Sequence, residues 1–137
     1  MADAPLAVEI EPIQVAPIPE ADKIEGVLRP SGYRILVRIL TPEETMRRWS
    51  DAGLGMPEEI RDREMAAQLW AEVIELGPDA YRDEKRFPNG PWCKAGEVIM
   101  MRPYSGTRFM VRGVLYALIN DDTVQGVVFK LGELERV

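Results

Sequence analysis

The sequence predicts a mainly β fold, a small irregular barrel or sandwich with a helical insertion between its first two core strands. Three observations carry this expectation. The run Tyr33-Arg-Ile-Leu-Val-Arg-Ile-Leu40 alternates at period two, with Tyr33, Ile35, Val37 and Ile39 on one face and Arg34, Leu36, Arg38 and Leu40 on the other. From Ala71 to Val128, short apolar runs are broken by turn residues at intervals of roughly eight to twelve. Between these two regions, Thr41–Trp70 has no strand pattern and carries helix signals instead.

Composition narrows the class. A chain of 137 residues suits one domain with a modest core. Its net charge is −6, which argues against general nucleic-acid binding through phosphates. The acid is concentrated at the start, where residues 1–28 hold six acidic residues and one basic. The absence of histidine removes Ser-His-Asp and Cys-His catalysis and the commonest metal ligand. The single cysteine, Cys93, has no internal partner and fits a reducing compartment such as the cytoplasm. No apolar run reaches the length of a membrane helix, and the N-terminus lacks the pattern of a secretory signal. No catalytic residues, metal ligands or cofactors are expected.

Residues 1–28 read as an extended acidic, Pro-rich arm. Two alternating stretches, Leu6-Ala-Val8-Glu-Ile10 and Ile13-Gln-Val15, each meet a proline two residues further on. Proline lacks the N–H of a continuous ladder, so this is not a central strand. The arm is either a solvated tail or a segment laid on a neighbouring subunit by strand addition, with Val8 and Ile10 at the interface. The apolar alternation favours the second, because a solvated tail needs no isoleucine.

After the strand Tyr33–Leu40, Thr41-Pro-Glu-Glu44 is a helix start, with Thr41 as N-cap, Pro42 at the first position and Glu44 three residues after the cap. Met46 and Trp49 share a face, and Gly53 and Gly55 end that helix. A second helical stretch, Pro57–Trp70, has a narrow apolar stripe of Ile60 and Ala67, with Met56 one turn before. The strand Glu72–Leu76 closes at Gly77-Pro78-Asp79. Tyr81–Cys93 is charged and turn-rich, with Asn89-Gly90-Pro91 marking a hairpin tip or protruding loop. Strands follow at Glu97–Arg102, Thr107–Arg112, Val114–Ile119 and Thr123–Val128, separated by Pro103-Tyr-Ser-Gly106, Gly113 and Asn120-Asp-Asp122; residues 129–137 form a mixed tail.

Four blocks in this order resemble the GroES-type co-chaperonins, over about Arg29 to Val128. They are Arg29-Pro-Ser-Gly-Tyr-Arg-Ile-Leu-Val-Arg38; Ala71-Glu-Val-Ile-Glu-Leu-Gly77; Lys94-Ala-Gly-Glu-Val-Ile-Met-Met101 with the aromatic-glycine turn Tyr104-Ser-Gly106; and Tyr116-Ala-Leu-Ile119 with an acidic turn and Val124–Val128. The resemblance implies a GroES-like β-barrel over residues 29–128. It also implies that the barrel assembles into a seven-membered ring and caps a chaperonin in its ATP-bound state. That family grips its chaperonin through a mobile loop between the first two core strands, with a glycine-flanked apolar segment near the tip. Residues 41–70 take that place here, with Gly53-Leu54-Gly55-Met56 as the candidate tip and Ile60 beyond it. Residues 82–93 take the place of the roof loop. The insertion is longer and more helix-prone than the family's loop, and an acidic arm precedes the barrel. Long, decorated relatives of this kind look more like bacteriophage versions, so the protein would work in the host cytoplasm if phage-encoded. The alternative is a capsid-decorating or cement protein that reuses the barrel, binds the major capsid protein and resides in the virion.

Other residues have two readings each. Leu54 and Met56 are either a groove anchor or apolar residues packed on the barrel. Trp49 and Trp70 bracket the insertion, as interface hot spots or as plugs where the insertion docks. Asp121-Asp122 with Asp79 and Asp83 lack cation-loop spacing and read as turn residues. The pairs Arg34/Arg38 and Arg108/Arg112 have the spacing of strand residues on one side, suited to ion pairs with Glu72 or Glu97. Cys93 beside Trp92 reads as inert.

Overall fold

The computed structural model describes residue 24 and residues 26–41 and 68–134, and these are mainly β. Six strands form one antiparallel sheet: β1 (Arg34–Ile39), β2 (Trp70–Leu76), β3 (Val98–Met101), β4 (Thr107–Val111), β5 (Val114–Asn120) and β6 (Val124–Val128). Their order is β4-β5-β1-β2-β3-β6. Short 3-10 turns at Asp121–Thr123 and Leu131–Glu133 are the only helical pieces among the described residues. The expected helical insertion falls on residues outside that set.

The sheet wraps around its own core. Val37, Ile99, Ile119 and Val124, from β1, β3, β5 and β6, lie in one apolar cluster although their strands are not all neighbours. Two irregularities help the sheet to curl. Val37 pairs Val73 while Leu36 pairs Glu75, so Ile74 is an extra residue in β2; Met101 pairs Val124 while Met100 pairs Gly126, so Gln125 is an extra residue in β6. An extra residue on one strand bends it and raises the local twist. Gly77 seals one end of β2. Its N–H donates to Arg34 O at 2.8 Å, and a Cβ at this position would sit 2.5 Å from Gly32 O and 2.6 Å from Arg34 O.

The period-two reading of the first strand needs one correction. Tyr33 lies in the preceding turn and is exposed, so β1 begins at Arg34. From Ile35 to Leu40 every residue is buried, on both faces. The reason is position, since β1 runs through the middle of the sheet. Its outer face is covered by Ile24 and Leu28, which pack with Leu36, Tyr116 and Phe109. The β4–β5 hairpin supplies a further correction. Val111 pairs Val114 around the two-residue turn Arg112-Gly113, with φ of 51° and 81°. A tight hairpin turn of this hand requires positive φ at both central residues. Arg112 therefore leaves the strand and does not share a strand face with Arg108.

Candidate functional site

The insertion departs from β1 and returns at β2, and these strands are neighbours, so its two ends meet. Leu40 N–H donates to Trp70 O at 3.1 Å, and Met101 N–H donates to Leu69 O at 2.8 Å. The buried Gln68 amide donates from Nε2 to Leu40 O at 2.8 Å, tying the outgoing chain to the returning one. Residues 68–70 are not helical, unlike the expectation for the end of Pro57–Trp70: Gln68 and Leu69 are irregular and Trp70 opens β2. Below this clamp, Leu40, Trp70 and Leu131 form a cluster with Leu69, Met100, Val128 and Leu134 against it. The C-terminal stretch thus braces the base from which residues 42–67 emerge.

Trp70 is 5% exposed, and its indole Nε1 is buried with no hydrogen-bond partner. It fills the base of the insertion in the single chain. Gly53, Leu54, Gly55, Met56, Ile60 and Trp49 lie outside the described residues, as do Val8 and Ile10 of the arm.

The segment between β2 and β3 has no strand pairing and folds down onto the barrel. Phe87 N–H donates to Asp83 O at 2.8 Å and Gly90 N–H to Phe87 O at 3.1 Å, giving two successive turns. Phe87 meets Tyr81 and Trp92 edge to face, with centroids 4.9 and 5.0 Å apart, and the Tyr81 and Trp92 rings lie 5.8 Å apart at a tilt of 41°. Ala80, Tyr81, Phe87 and Cys93 all join the main core, while Trp92 keeps part of its ring in solvent. The Asn89-Gly90-Pro91 tip is therefore a rim around an aromatic plug.

Asp121 fastens this segment to the end of β5. The Tyr81 N–H donates to its Oδ2 at 3.1 Å and the Tyr81 phenol to its main-chain O at 2.7 Å. Asp122 pairs with Arg86 at 2.7 Å across the surface. Among the described residues, no three His, Cys, Asp or Glu side chains gather as a metal site. Burial pushes the Tyr81 phenol far above its ordinary pKa and raises the Cys93 thiol, whose Sγ lies 3.5 Å from the phenol oxygen. Both stay protonated near neutral pH, so Cys93 is a poor nucleophile. Of the expected arginine pairs, Arg38 meets Glu72 at 3.2 Å across β1 and β2, whereas Arg34 binds Asn120 and Glu97 accepts from the Lys94 N–H.

Residues 27–128 match the family model described as the chaperonin 10 Kd subunit, Cpn10. The chain belongs to this family. The Cpn10 match spans all six strands, the insertion and the plugged segment, and leaves out most of the arm and the C-terminal stretch that braces the insertion. Similar Cpn10 proteins include the co-chaperonin GroES of Lawsonia intracellularis, 28% identical over 102 residues, covering 74% of this chain and 91% of that protein. The co-chaperonin GroES of Acetivibrio thermocellus is 26% identical over 101 residues, covering 74% and 97%. That of an Arthrobacter species is 27% identical over 103 residues, covering 75% and 96%.

Sequence reasoning missed Gln68 and the Tyr81–Asp121 link. Gln68 sits in a helix-compatible run with no local mark of its clamp. Asp121 was visible only as a turn residue, since its partner is 40 positions away.

Proposed function

We propose that this chain is a co-chaperonin subunit, a non-enzymatic lid that assembles into a ring and caps a nucleotide-bound chaperonin while a client folds inside. The reading rests on the Cpn10 match together with the clamped base of the insertion. A partner-binding segment whose two ends are tied to adjacent core strands transmits a pull on its tip directly to the barrel. Leu54 and Met56, flanked by Gly53 and Gly55, would enter an apolar groove of the chaperonin, followed by Ile60. Burying two such side chains contributes on the order of 3–5 kcal/mol before ordering costs. That is weak for one subunit and strong for a ring, through avidity. Self-association is supported by the sheet's two outer strands, β4 and β6, each with a strand neighbour on one side only among the described residues, and by Phe129, 83% exposed just after β6.

The test is retention of the full chain on a bacterial chaperonin with and without ATP. ATP-dependent retention that Leu54→Asp and Met56→Asp abolish is expected. No retention, or retention indifferent to both substitutions, rejects the lid.

A further inference from the structure

The stretch Val98–Asn120 contains Arg102, Arg108 and Arg112 and no acidic residue. At the start of β1, Arg34 comes to the same region; its Nε donates to Asn120 Oδ1 at 3.1 Å and its guanidinium lies 5.7 Å from the Tyr33 ring centroid. Between Arg34 and the turn joining β3 to β4 there is a surface cavity of about 450 Å³, lined by Arg34, Arg102, Ser105, Thr107, Asn120 and Thr123 among others, and by no carboxylate. The turn that walls it is firmly seated. Gly106 has φ +80°, and a Cβ there would come within 2.6 Å of Ile119 Cγ2 and 2.8 Å of Leu118 O. Two tyrosines near the cavity present their rings to solvent: Tyr33, 45% exposed, and Tyr104, 69% exposed and left-handed at φ 59°.

A cavity rich in donors and free of carboxylates fits a carboxylate ligand, and arginine and tyrosine are the residue types that anchor interfaces. The chain carries a matching ligand of its own. Residues 1–23 contain Asp3, Glu9, Glu11, Glu20 and Asp22 against the single Lys23. Glu9 and Glu11 alternate with Val8 and Ile10, so an extended backbone puts both carboxylates on one face. We infer that this cavity is the receiving site for the acidic arm of a second copy, with Glu9 and Glu11 meeting Arg34 and Arg102. The arm is long enough to reach a second copy. The chain enters the fold at Ile24, buried with Leu36 and Tyr116. The residues before it, stiffened by Pro12, Pro17 and Pro19, span on the order of 70 Å when extended. A domain of this size is about 35 Å across. The inference rests on the self-association proposed above and adds to it a named donor segment and acceptor cavity.

Disulfide trapping in the full chain tests it. Tagged Glu9→Cys chains are mixed with untagged Ser105→Cys chains, oxidised, and separated on a denaturing non-reducing gel; Cys93 is buried and stays out of the reaction. A tagged–untagged dimer is expected. It should fall at least tenfold when Arg34→Glu and Arg102→Glu are added to the Ser105→Cys chain, and recover when Glu11→Lys is added to the arm. Absence of the dimer, or a dimer indifferent to the charge reversals, overturns the inference. So does a cross-link that forms only within a chain carrying both cysteines, which would assign the cavity to the chain's own arm. Native mass spectrometry of the unaltered protein separates the two levels. An oligomer that gives no cross-link rejects this site alone, while a monomer rejects the ring as well.

Discussion

Tyr81 gives both of its hydrogen-bond donors to Asp121, the N–H to the carboxylate at 3.1 Å and the phenol to the main-chain carbonyl at 2.7 Å. Tyr81 has a φ of 61°, a left-handed conformation that costs a non-glycine residue. The two bonds offset that cost and pin the aromatic-plugged segment to the end of β5. Tyr81→Phe keeps the ring and the N–H bond but removes the phenol donor. It should cost about 1 kcal/mol, read as a lower urea midpoint with an unchanged slope. An unchanged midpoint would show that the phenol is dispensable.

Gly77 permits the close crossing at the end of β2. Alanine there would drive its Cβ into two backbone carbonyls, which cannot rotate away as a side chain can. Gly77→Ala should lose about 3 kcal/mol or more, or fail to accumulate as soluble protein. Gly90→Ala meets open space and has only its positive φ of 89° to overcome, a cost of about 1 kcal/mol. Thermal melts of the two variants side by side give the comparison; equal losses would contradict the crowding argument.

Two ion pairs made by glutamates of β2 should differ in worth. Arg38 and Glu72 are 7% and 26% exposed at their side chains, whereas Arg29 and Glu75 are 81% and 34% exposed. Water screens the outer pair, so Glu75→Gln should change stability by less than about 1 kcal/mol. Glu72→Gln weakens a charge-assisted bond to a buried guanidinium and should cost about 2 kcal/mol. Chemical denaturation of both variants at low and at high salt checks the order, and the Arg38–Glu72 loss should persist in salt.

Gln68 clamps the insertion's base. Gln68→Leu fills similar space but deprives Leu40 O of its donor, at a cost of about 1–2 kcal/mol. The loss should appear both in global stability and as faster hydrogen exchange at the Leu40 and Trp70 amides. Wild-type exchange at those amides would mean that the clamp is not what joins the two ends.

Alkaline pH should weaken the fold. Burial holds the Cys93 thiol and the Tyr81 phenol above their ordinary pKa values. At high pH the unfolded chain releases these protons while the folded chain keeps them, so stability falls as pH rises. It should be full below the ordinary thiol value of about 8.5 and decline above it, more steeply beyond about 10 as the unfolded phenol ionises. Urea midpoints from pH 7 to 11 give the curve, and Cys93→Ala should remove its first, shallower part. For the same reason thiol reagents should modify Cys93 slowly in the native protein and quickly in urea.

The positions of the six described strands were legible because each depends on local information: short apolar runs such as Val114–Ile119, closed by turn residues such as Gly113 and Gly77. The family was legible for a related reason, since the order of those blocks is itself a sequence property. The candidate site was legible only as a place in the chain. Residues 41–70 stand out as an interruption between two strands, but nothing nearby says that Gln68 reaches back to Leu40. The alternation of β1 reported which face each side chain takes and not what covers that face.

Taken alone, the chain's order of residues determined a mainly β Cpn10 barrel, the place of its insertion and the acidity of its arm. Tertiary structure decided which polar residues became structural. Asp121, Gln68 and Arg38 owe their roles to partners at separations of 40, 28 and 34 positions. Burial is settled by what the folded chain brings to a surface, and a hydrogen bond gains its worth only where water is excluded. Neither condition exists until the sheet has closed, which is why a turn aspartate and a helix-compatible glutamine could not be recognised beforehand as the fastenings of this fold.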